Sequence, residues 1–296
     1  MGRIPRIAPP PVKAEPYSTV VIVPCYNEAD RLPVNDFEVY AQQTDHIRFL
    51  FVNDGSSDNT ATLLAEMAVA NPLQFQFLNL TKNGGKAEAI RQGMLHALQS
   101  EPAVIGFWDA DLGTPLEPIA DFRRALDKHA PIEIVVGSRL PLLGRQIHRT
   151  PVRRLLGRLF ATVASIALGI RIRDTQCGAK MFRVTPDLHK VFAEPFLSKW
   201  IFDVELIARY GQLRQRLTSK PTADFIYEQP LERWEEVGGS RLKSNDFVTA
   251  IFDLARIYWR HLRPGAPAYL GVSPSSDTSQ SSSTSTDDQP SLPRAA

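Results

Sequence analysis

The residues of this chain best suited to chemistry follow short apolar runs in its first half. Acidic side chains stand after three of these runs, and two of them, Asp109 and Asp111, are one residue apart. Two carboxylates at that spacing can hold a hard divalent cation that keeps positions open for phosphate oxygens. Asp54 can accept the imide N–H of a pyrimidine base. Together these residues predict a site for a nucleoside diphosphate and a metal ion.

Positive charge is expected at the same site. Gly84 and Gly85 precede a predicted helix, so we expect the free N–H groups of its first turn to face an anion. Lys86 adds a point charge and is expected to contact the nucleotide. The segment is not a Walker loop, because Lys86 is followed by Ala87.

An alternation of strands and helices is predicted to position these residues. Branched and aromatic runs predict strands at 19–23, 47–52, 75–80, 104–108 and 132–136. Helical periodicity predicts helices at 59–70, 86–98 and 116–129. This order indicates an α/β, Rossmann-like fold with a mostly parallel central sheet flanked by helices. Ligands of such sheets bind beyond the carboxyl ends of the strands, where the charged residues fall.

Composition limits the class of protein. The chain has 296 residues, with Lys+Arg 34 against Asp+Glu 32, and this balance argues against a general electrostatic grip on nucleic acid. Its two cysteines cannot form a disulfide framework, which fits a reducing compartment. No run approaches the roughly 20 apolar residues of a membrane-spanning helix, and no signal peptide is predicted. We therefore expect a cytoplasmic protein.

Three motifs resemble glycosyltransferase family 2. They are VIVPCYNE at 21–28, VNDGSSD at 52–58 and DAD at 109–111. The resemblance implies a GT-A fold. It also implies binding of the nucleoside by the first two motifs, through Pro24, Tyr26, Glu28 and Asp54. Asp109 and Asp111 would then bind the ribose, the diphosphate and a metal ion, Mg²⁺ or Mn²⁺.

Motifs in the second half resemble the dolichyl-phosphate β-glucosyltransferase group. They are GSR at 137–139, DTQCGAKMF at 174–182, WIFDVEL at 200–206 and WEEVGGSRLK at 234–243. The resemblance implies that Arg139 and Arg153 bind the acceptor phosphate. Asp203 stands where many members carry a base, and it is either that base or a residue that orients an acceptor-side arginine. Together with Asp111, these three residues form the predicted catalytic set.

The sequence departs from the family pattern at two positions. Gly113 stands where related mannosyl enzymes often have a metal-contacting glutamine, and Ala179 replaces a usual phenylalanine. Because of Gly113, the sequence does not define the full set of metal ligands.

The chain divides into three predicted parts. Residues 1–16 are basic and rich in proline, so we expect an extended arm. Residues 264–296 contain a Ser/Thr tract that cannot bury enough apolar surface to order itself, which predicts a disordered tail. Between them, residues 17–263 form the predicted glycosyltransferase domain, with a nucleotide-sugar half at 17–115 and an acceptor half at 116–263.

Residues 134–173 contain eight arginines, no lysine and no acidic residue. Arginine suits phosphate oxygens, and no acid within the segment is there to pair with it. Apolar residues within it are spaced as one face of a helix, with Arg153, Arg154 and Arg158 beside that face. Such a helix either lies in the headgroup region of an anionic membrane or packs its apolar face on the sheet.

The motifs and the arginines together predict an inverting transferase that moves a sugar onto a polyprenyl or dolichyl phosphate. The favoured donor is UDP-glucose, and the expected place is the cytosolic face of a membrane, to which the protein binds peripherally. Two alternatives stay open. One is a GDP-mannose-dependent polyprenyl-phosphate mannosyltransferase, and the other is a non-catalytic protein that binds nucleotide sugars at a membrane surface.

Overall fold

A computed structural model describes residues 18–148, 151–218, 220–236 and 244–271. The predicted arm at 1–16 and residues 272–296 of the predicted tail lie outside these ranges. The described strands are β1 Thr19–Cys25, β2 Ile47–Asp54, β3 Phe75–Leu80, β4 Val104–Phe107, β5 Ile134–Ser138, β6 Gln146–His148, β7 Lys180–Arg183, β8 Ile226–Pro230 and β9 Arg233–Glu235. The α-helices are α1 Val34–Gln42, α2 Thr60–Ala70, α3 Lys86–Leu98, α4 Pro118–Lys128, α5 Pro151–Leu168, α6 Leu188–Ala193, α7 Phe202–Thr218 and α8 Ser244–Ile257. A 3₁₀ turn covers Thr222–Phe225, and a π-helical turn covers Tyr258–Leu262.

Seven strands form one sheet in the order β3-β2-β1-β4-β7-β5-β8. All neighbouring pairs are parallel except the two that involve β7, which runs antiparallel to β4 and to β5. A separate parallel pair joins β6 to β9. The mostly parallel sheet predicted from the sequence is confirmed, and β7 is the exception that the sequence did not indicate.

Both faces of the sheet are buried, which explains the unbroken apolar runs of its central strands. Val21 and Val23 of β1 point to the face covered by α1, α2 and α4, where Phe37 and Phe122 lie. Ile22 points to the opposite face, where α3, α6 and α7 pack. Because alternate side chains of a strand point to opposite faces, one strand serves two cores.

The predicted strands and helices of the first half are present, with shifts of a few residues at their ends. The fifth strand begins at Ile134 rather than at residue 132. The helix predicted at 116–129 corresponds to α4, which begins at Pro118. Helix α1 at Val34–Gln42 was not predicted. Its apolar contribution is small: only Phe37 and Ala41 are buried.

Helix α5 packs on other helices and only marginally on the sheet. Its Phe160 and Ala164 join a third core, to which α7 contributes Val204 and α8 contributes Leu254. The alternative in which the apolar face of this helix lies on the sheet is therefore wrong for most of its length. Apolar side chains of α5 stay exposed: Leu155, Leu156, Leu159, Val163 and Ile166.

Ordered packing extends beyond the predicted end of the domain at residue 263. Tyr269 is fully buried, its hydroxyl donates to the carbonyl oxygen of Lys190 at 2.7 Å, and its ring lies 4.8 Å from the guanidinium of Arg209. The predicted start of the disordered tail at 264 is therefore wrong for 264–271. The ring of Tyr269, its hydroxyl and its N–H, which donates to Oε1 of Gln212 at 3.1 Å, hold this segment on the helical layer.

Candidate active site

The loops after β1 and β2 are fastened to each other at the carboxyl edge of the sheet. The N–H of Asn27 donates to Oγ of Ser56 at 3.0 Å, and the N–H of Ser57 donates to Oδ1 of Asn27 at 2.9 Å. The N–H of Glu28 donates to Oγ1 of Thr60 at 2.8 Å. The three predicted nucleoside residues of the first motif lie here, partly buried: Pro24, Tyr26 and Glu28.

Asp54, at the end of β2, is bonded to the loop before α3. Its Oδ1 accepts the N–H of Gly84 and its Oδ2 accepts the N–H of Gly85, both at 2.8 Å. Burial raises the pKa of Asp54 above its usual range, although these two N–H groups oppose the rise. The N–H groups of Gly84 and Gly85 are therefore held by a carboxylate of the protein, and the expectation that the free N–H groups of the first turn of α3 face an anion stays a prediction.

Lys86 forms an ion pair with Asp109 across the edge of the sheet. Burial acts to lower the pKa of Lys86, but the charges of Asp109, Asp203 and Asp111 outweigh it and raise that pKa. Burial acts to raise the pKa of Asp109, but Lys86, Arg139 and Lys180 outweigh it and lower that pKa. Asp109 therefore stays ionised at neutral pH under the influence of three cations.

The chemistry of Asp109 and Asp111 fits a hard divalent cation. Burial and then the charge of Asp109 raise the pKa of Asp111, and a divalent cation between the two carboxylates would offset their repulsion. Oδ1 of Asp111 accepts the N–H of Gly113 at 3.0 Å, which fixes the side chain. Within the described residues, no group of three His, Cys, Asp or Glu side chains is gathered for a metal.

Strand β9 closes over the Asp111 loop at Gly113. The N–H of Glu235 donates to the carbonyl oxygen of Gly113 at 3.0 Å. A Cβ on residue 113 would stand 2.9 Å from the carbonyl oxygen of Glu235. This close approach gives a physical reason for glycine at the position where related enzymes often carry glutamine.

Arg139, after β5, is held by an acid from the second half. Its Nε and Nη2 donate to the two oxygens of Asp174 at 2.7 Å each, and its own N–H donates to Oδ2 at 3.0 Å. Burial alone would lower the pKa of Arg139, but Asp174 raises it. The guanidinium also lies 5.3 Å from the ring of Trp234. The guanidinium of Arg139 is thus held in one orientation, and its charge acts on Asp109.

Two arginines of residues 134–173 pair with acidic residues that lie outside that segment. Arg145 pairs with Glu232 at 2.6 Å, in addition to the pairing of Arg139 with Asp174. The inference that these arginines lack acids to pair with is therefore wrong for both residues. The side chain of Arg153 lies outside the part of the chain that the structure describes, so its predicted contact with the acceptor phosphate stays a prediction.

Asp203, at the start of α7, pairs with a lysine that sequence reasoning overlooked. The fully buried ammonium of Lys180 donates to Oδ1 of Asp203 at 2.5 Å and to the carbonyl oxygen of Cys177 at 2.6 Å. Asp203 therefore orients a lysine, and Arg139, an acceptor-side arginine whose side chain the structure describes, pairs with Asp174 instead. The signal was Lys180 between the apolar residues Ala179 and Met181 at the start of β7, because a buried lysine requires an anionic partner.

Two helices beside the site expose apolar side chains. On α5 these include Leu155 and Ile166, and on α8 and the turn after it they include Phe252 and Trp259. A groove of about 550 Å³ lies along α8 between Leu197, Phe252, Ala255, Arg256, Trp259 and Arg260. No helix in the described ranges is long and apolar enough to cross a bilayer.

Comparison with known proteins identifies related sequences. The model of the family described as "Glycosyl transferase family 2" matches residues 20–188. A dolichyl-phosphate beta-glucosyltransferase of Trichomonas vaginalis is 34% identical over 256 residues, which cover 82% of this chain and 71% of that protein. The dolichyl-phosphate beta-glucosyltransferase of Saccharomyces cerevisiae is 31% identical and covers 75% and 68%. Polyprenol monophosphomannose synthase of Mycolicibacterium smegmatis is 28% identical and covers 80% and 85%.

Solved structures share the fold. Glucosyl-3-phosphoglycerate synthase from Mycobacterium tuberculosis in complex with UDP superposes with a TM-score of 0.57 at 17% identity, over 84% of this chain and 81% of that chain. Its complex with Mn²⁺, UDP and glucosyl-3-phosphoglycerate gives the same values. The likeness confirms the GT-A fold that the motifs implied.

Proposed function

The chain belongs to glycosyltransferase family 2 and is a glycosyltransferase, and from this premise we propose that it transfers glucose from UDP-glucose to a dolichyl or other polyprenyl phosphate. The proposal includes inversion at the anomeric carbon and a peripheral position on the cytosolic face of a membrane. One observation carries it: Lys86, Asp109 and Asp111 meet at a single sheet edge beside Arg139. The donor diphosphate would then bind at Lys86, Asp109 and Asp111, and the acceptor phosphate would bind beside it at Arg139.

The donor half follows from the acids and the lysine at the sheet edge. Asp109 and Asp111 would hold Mg²⁺ or Mn²⁺, which when bound supplies charge stabilisation to the leaving diphosphate. Lys86 is fixed by Asp109 and adds positive charge at the same point. Pro24, Tyr26, Glu28 and Asp54 would line the nucleoside, on the loops that Asn27 and Ser56 tie together.

The acceptor half follows from the chemistry of a phosphate monoester. Its second pKa is about 6, so at neutral pH it is largely a dianion and already a nucleophile. A phosphate oxygen attacks the anomeric carbon from the side opposite UDP, a carbon–oxygen bond forms, and UDP leaves with the electron pair of the broken bond. No proton has to be removed, which agrees with the engagement of Asp203 by Lys180.

Positioning of that dianion is assigned to arginine. The pair with Asp174 presents Arg139 in one orientation next to Asp109, and Arg153 is proposed to complete the phosphate site. The rate enhancement of the transfer then comes from alignment of the acceptor phosphate with the donor, and not from activation of the phosphate by a general base.

The lipid half of the acceptor suits the exposed apolar side chains of α5 and α8. Leu155 and Ile166 on one helix and Phe252 on the other lie on the surface, where contact with lipid would remove them from water. The neighbouring arginines suit anionic headgroups. A peripheral membrane position is therefore part of the proposal.

A transfer assay tests the proposed function. Purified protein is incubated with short polyprenyl phosphate, Mg²⁺ or Mn²⁺, and either UDP-glucose or GDP-mannose, with a chelator control. We expect glucosyl transfer that chelation abolishes. The likeness to a polyprenol monophosphomannose synthase makes mannose the second candidate, and transfer from GDP-mannose alone would replace glucose by mannose. Absence of transfer from either donor would refute the function.

A further inference from the structure

A turn between α6 and α7 passes over the donor edge of the sheet and carries Lys199. A Cβ built on Gly85 would stand 3.4 Å from Cδ of Lys199 and 3.8 Å from its Cγ. The aliphatic stem of Lys199 therefore lies across Gly85, whose N–H holds Asp54. Gly85 has φ 90°, a backbone conformation that favours glycine. Because glycine has no Cβ, the methylene groups of Lys199 can lie against this part of the loop.

Lys199 differs from the other cations of the site because its ammonium has no ion-pair partner among the described residues. Lys86 pairs with Asp109, Lys180 with Asp203 and Arg139 with Asp174. Across residues 18–148, 151–218, 220–236 and 244–271, the side chain of Lys199 makes no ion pair and no hydrogen bond. It nevertheless acts on the donor loop, since its charge counteracts the rise that burial causes in the pKa of Asp54.

The turn that carries Lys199 is held by a buried hydrogen bond to α8. Oγ of Ser198 donates to Oδ2 of Asp253 at 2.7 Å, and Ser198 is 1% exposed. The same oxygen accepts the N–H groups of Trp200 and Ile201 at 3.2 and 3.1 Å. An exposed lysine on a turn fixed at the preceding residue is presented in a defined place, which lowers the entropy lost when it binds an anion.

We propose that Lys199 is a donor-binding residue, which contacts the diphosphate of the bound nucleotide, and that the hydrogen bond between Ser198 and Asp253 positions it. The proposal rests on the proposed function, since it needs a nucleoside diphosphate at the Asp109 edge. Asp109, Asp111, Lys86 and a divalent cation held between them would together carry one net positive charge, which is less than the negative charge of a diphosphate. Lys199 supplies a further positive charge from the acceptor half of the chain.

Binding of UDP and of uridine, each measured calorimetrically with Mg²⁺ present, tests the proposal. Lys199→Met keeps the stem and removes the charge, and we expect it to weaken UDP binding roughly tenfold, the size of one charge-assisted contact. Uridine binding should stay within twofold. Lys199→Arg should restore most of the UDP affinity. Lys220→Met, an exposed lysine elsewhere on the chain, is the matched control and should change neither affinity.

Ser198→Ala tests the positioning role. It should weaken UDP binding a few-fold without changing uridine binding, and the double variant with Lys199→Met should lose no more than Lys199→Met alone. Unchanged UDP affinity in Lys199→Met, or equal losses for UDP and uridine, would overturn the inference and leave the proposed function standing. A wild-type protein that binds no nucleoside diphosphate would refute both.

Discussion

The ammonium of Lys180 and the carboxylate of Asp203 form a buried ion pair, 2.5 Å from Nζ to Oδ1, directly behind the sheet edge that carries Asp109. Lys180 is fully buried and Asp203 is 5% exposed. Burial raises the pKa of Asp203, although Lys180 opposes the rise. A carboxylate held in this way supports the architecture between the donor and acceptor halves and is not free to collect a proton from an acceptor.

Replacement of Asp203 by asparagine is expected to cost stability first and activity second. Asp203→Asn leaves the Lys180 charge buried without an anion, so the free energy of unfolding should fall by about 3 kcal/mol. Lys180→Met combined with Asp203→Leu removes both charges and should recover most of that loss. Urea unfolding measures both. With polyprenyl phosphate as acceptor, a loss of activity in Asp203→Asn larger than in Asp111→Asn would restore a general base.

Transfer to the acceptor is expected to depend on the planar guanidinium group of Arg139. A lysine cannot make two parallel N–H bonds to Asp174, so Arg139→Lys should lower kcat/KM for polyprenyl phosphate about tenfold and leave KM for the nucleotide sugar nearly unchanged. Steady-state kinetics with each substrate varied in turn measure the two parameters. Arg145→Lys, in an exposed pair with Glu232, is the matched control and should have little effect. A matching loss in that control would remove Arg139 from the acceptor site.

The sequence was sufficient to predict the edge of the sheet but not the bonds made across it. Apolar runs that alternate with predicted helices located β1 to β4. Asp54, Lys86 and Asp109 follow the ends of these strands, and the carboxyl ends of parallel strands meet at one edge of a sheet. The partner of each charge came from a distant part of the chain. Asp54 bonds to Gly84 and Gly85, about 30 residues away, and no local pattern indicates such a pairing.

The second half was harder to predict for a related reason. Strand β7 has four residues and runs antiparallel, so it lacks the length and the alternation that mark a strand in sequence. The amphipathic pattern of α5 was visible, but a pattern does not say which side is covered. Phe160 packs against α7 and α8, while Leu159 beside it stays on the surface.

Glu205 is expected to control stability in acid. Burial acts to raise its pKa, but hydrogen bonds from His261, Arg209 and the N–H of Leu197 outweigh this and lower it. A depressed carboxyl pKa gives stability that is present above the unfolded value of about 4.3 and is lost as pH falls through the folded value. Glu205→Gln should therefore be less stable than wild type at pH 7, with a difference that shrinks in acid.

Urea unfolding between pH 7 and pH 3 checks this for Glu205. Glu66→Gln, an exposed glutamate on α2, is the control and should track wild type at every pH. A difference between Glu205→Gln and wild type that grows as the pH falls would contradict the sign of the predicted effect.

The exposed apolar side chains of α5 and α8 are expected to carry membrane binding. Leu155→Ser with Ile166→Ser on α5, and Phe252→Ser with Trp259→Ser at α8, should each reduce pelleting with anionic liposomes several-fold without loss of stability. Exposed apolar residues at α2 and the turn after it provide the control, through Val69→Ser with Leu73→Ser.

Charge at the same surface is tested separately. Arg153→Glu with Arg154→Glu should weaken pelleting further as salt is lowered, because the reversed charges repel anionic headgroups. Undiminished pelleting in all of these variants would exclude α5 and α8 as the membrane-facing surface.

Asp111 is expected to be the most sensitive residue of the donor site. Asp111→Asn removes a carboxylate whose hydrogen-bond partner among the described residues is the Gly113 N–H, so the fold should tolerate it and the free energy of unfolding should change by less than about 1 kcal/mol. Transfer should nevertheless fall at least a hundredfold, since one of two acidic ligands for the cation is lost. Transfer rates across a Mg²⁺ and Mn²⁺ titration measure the effect. Retention of metal-dependent transfer within a few-fold of wild type would show that Asp109 and Asp111 do not form the cation site.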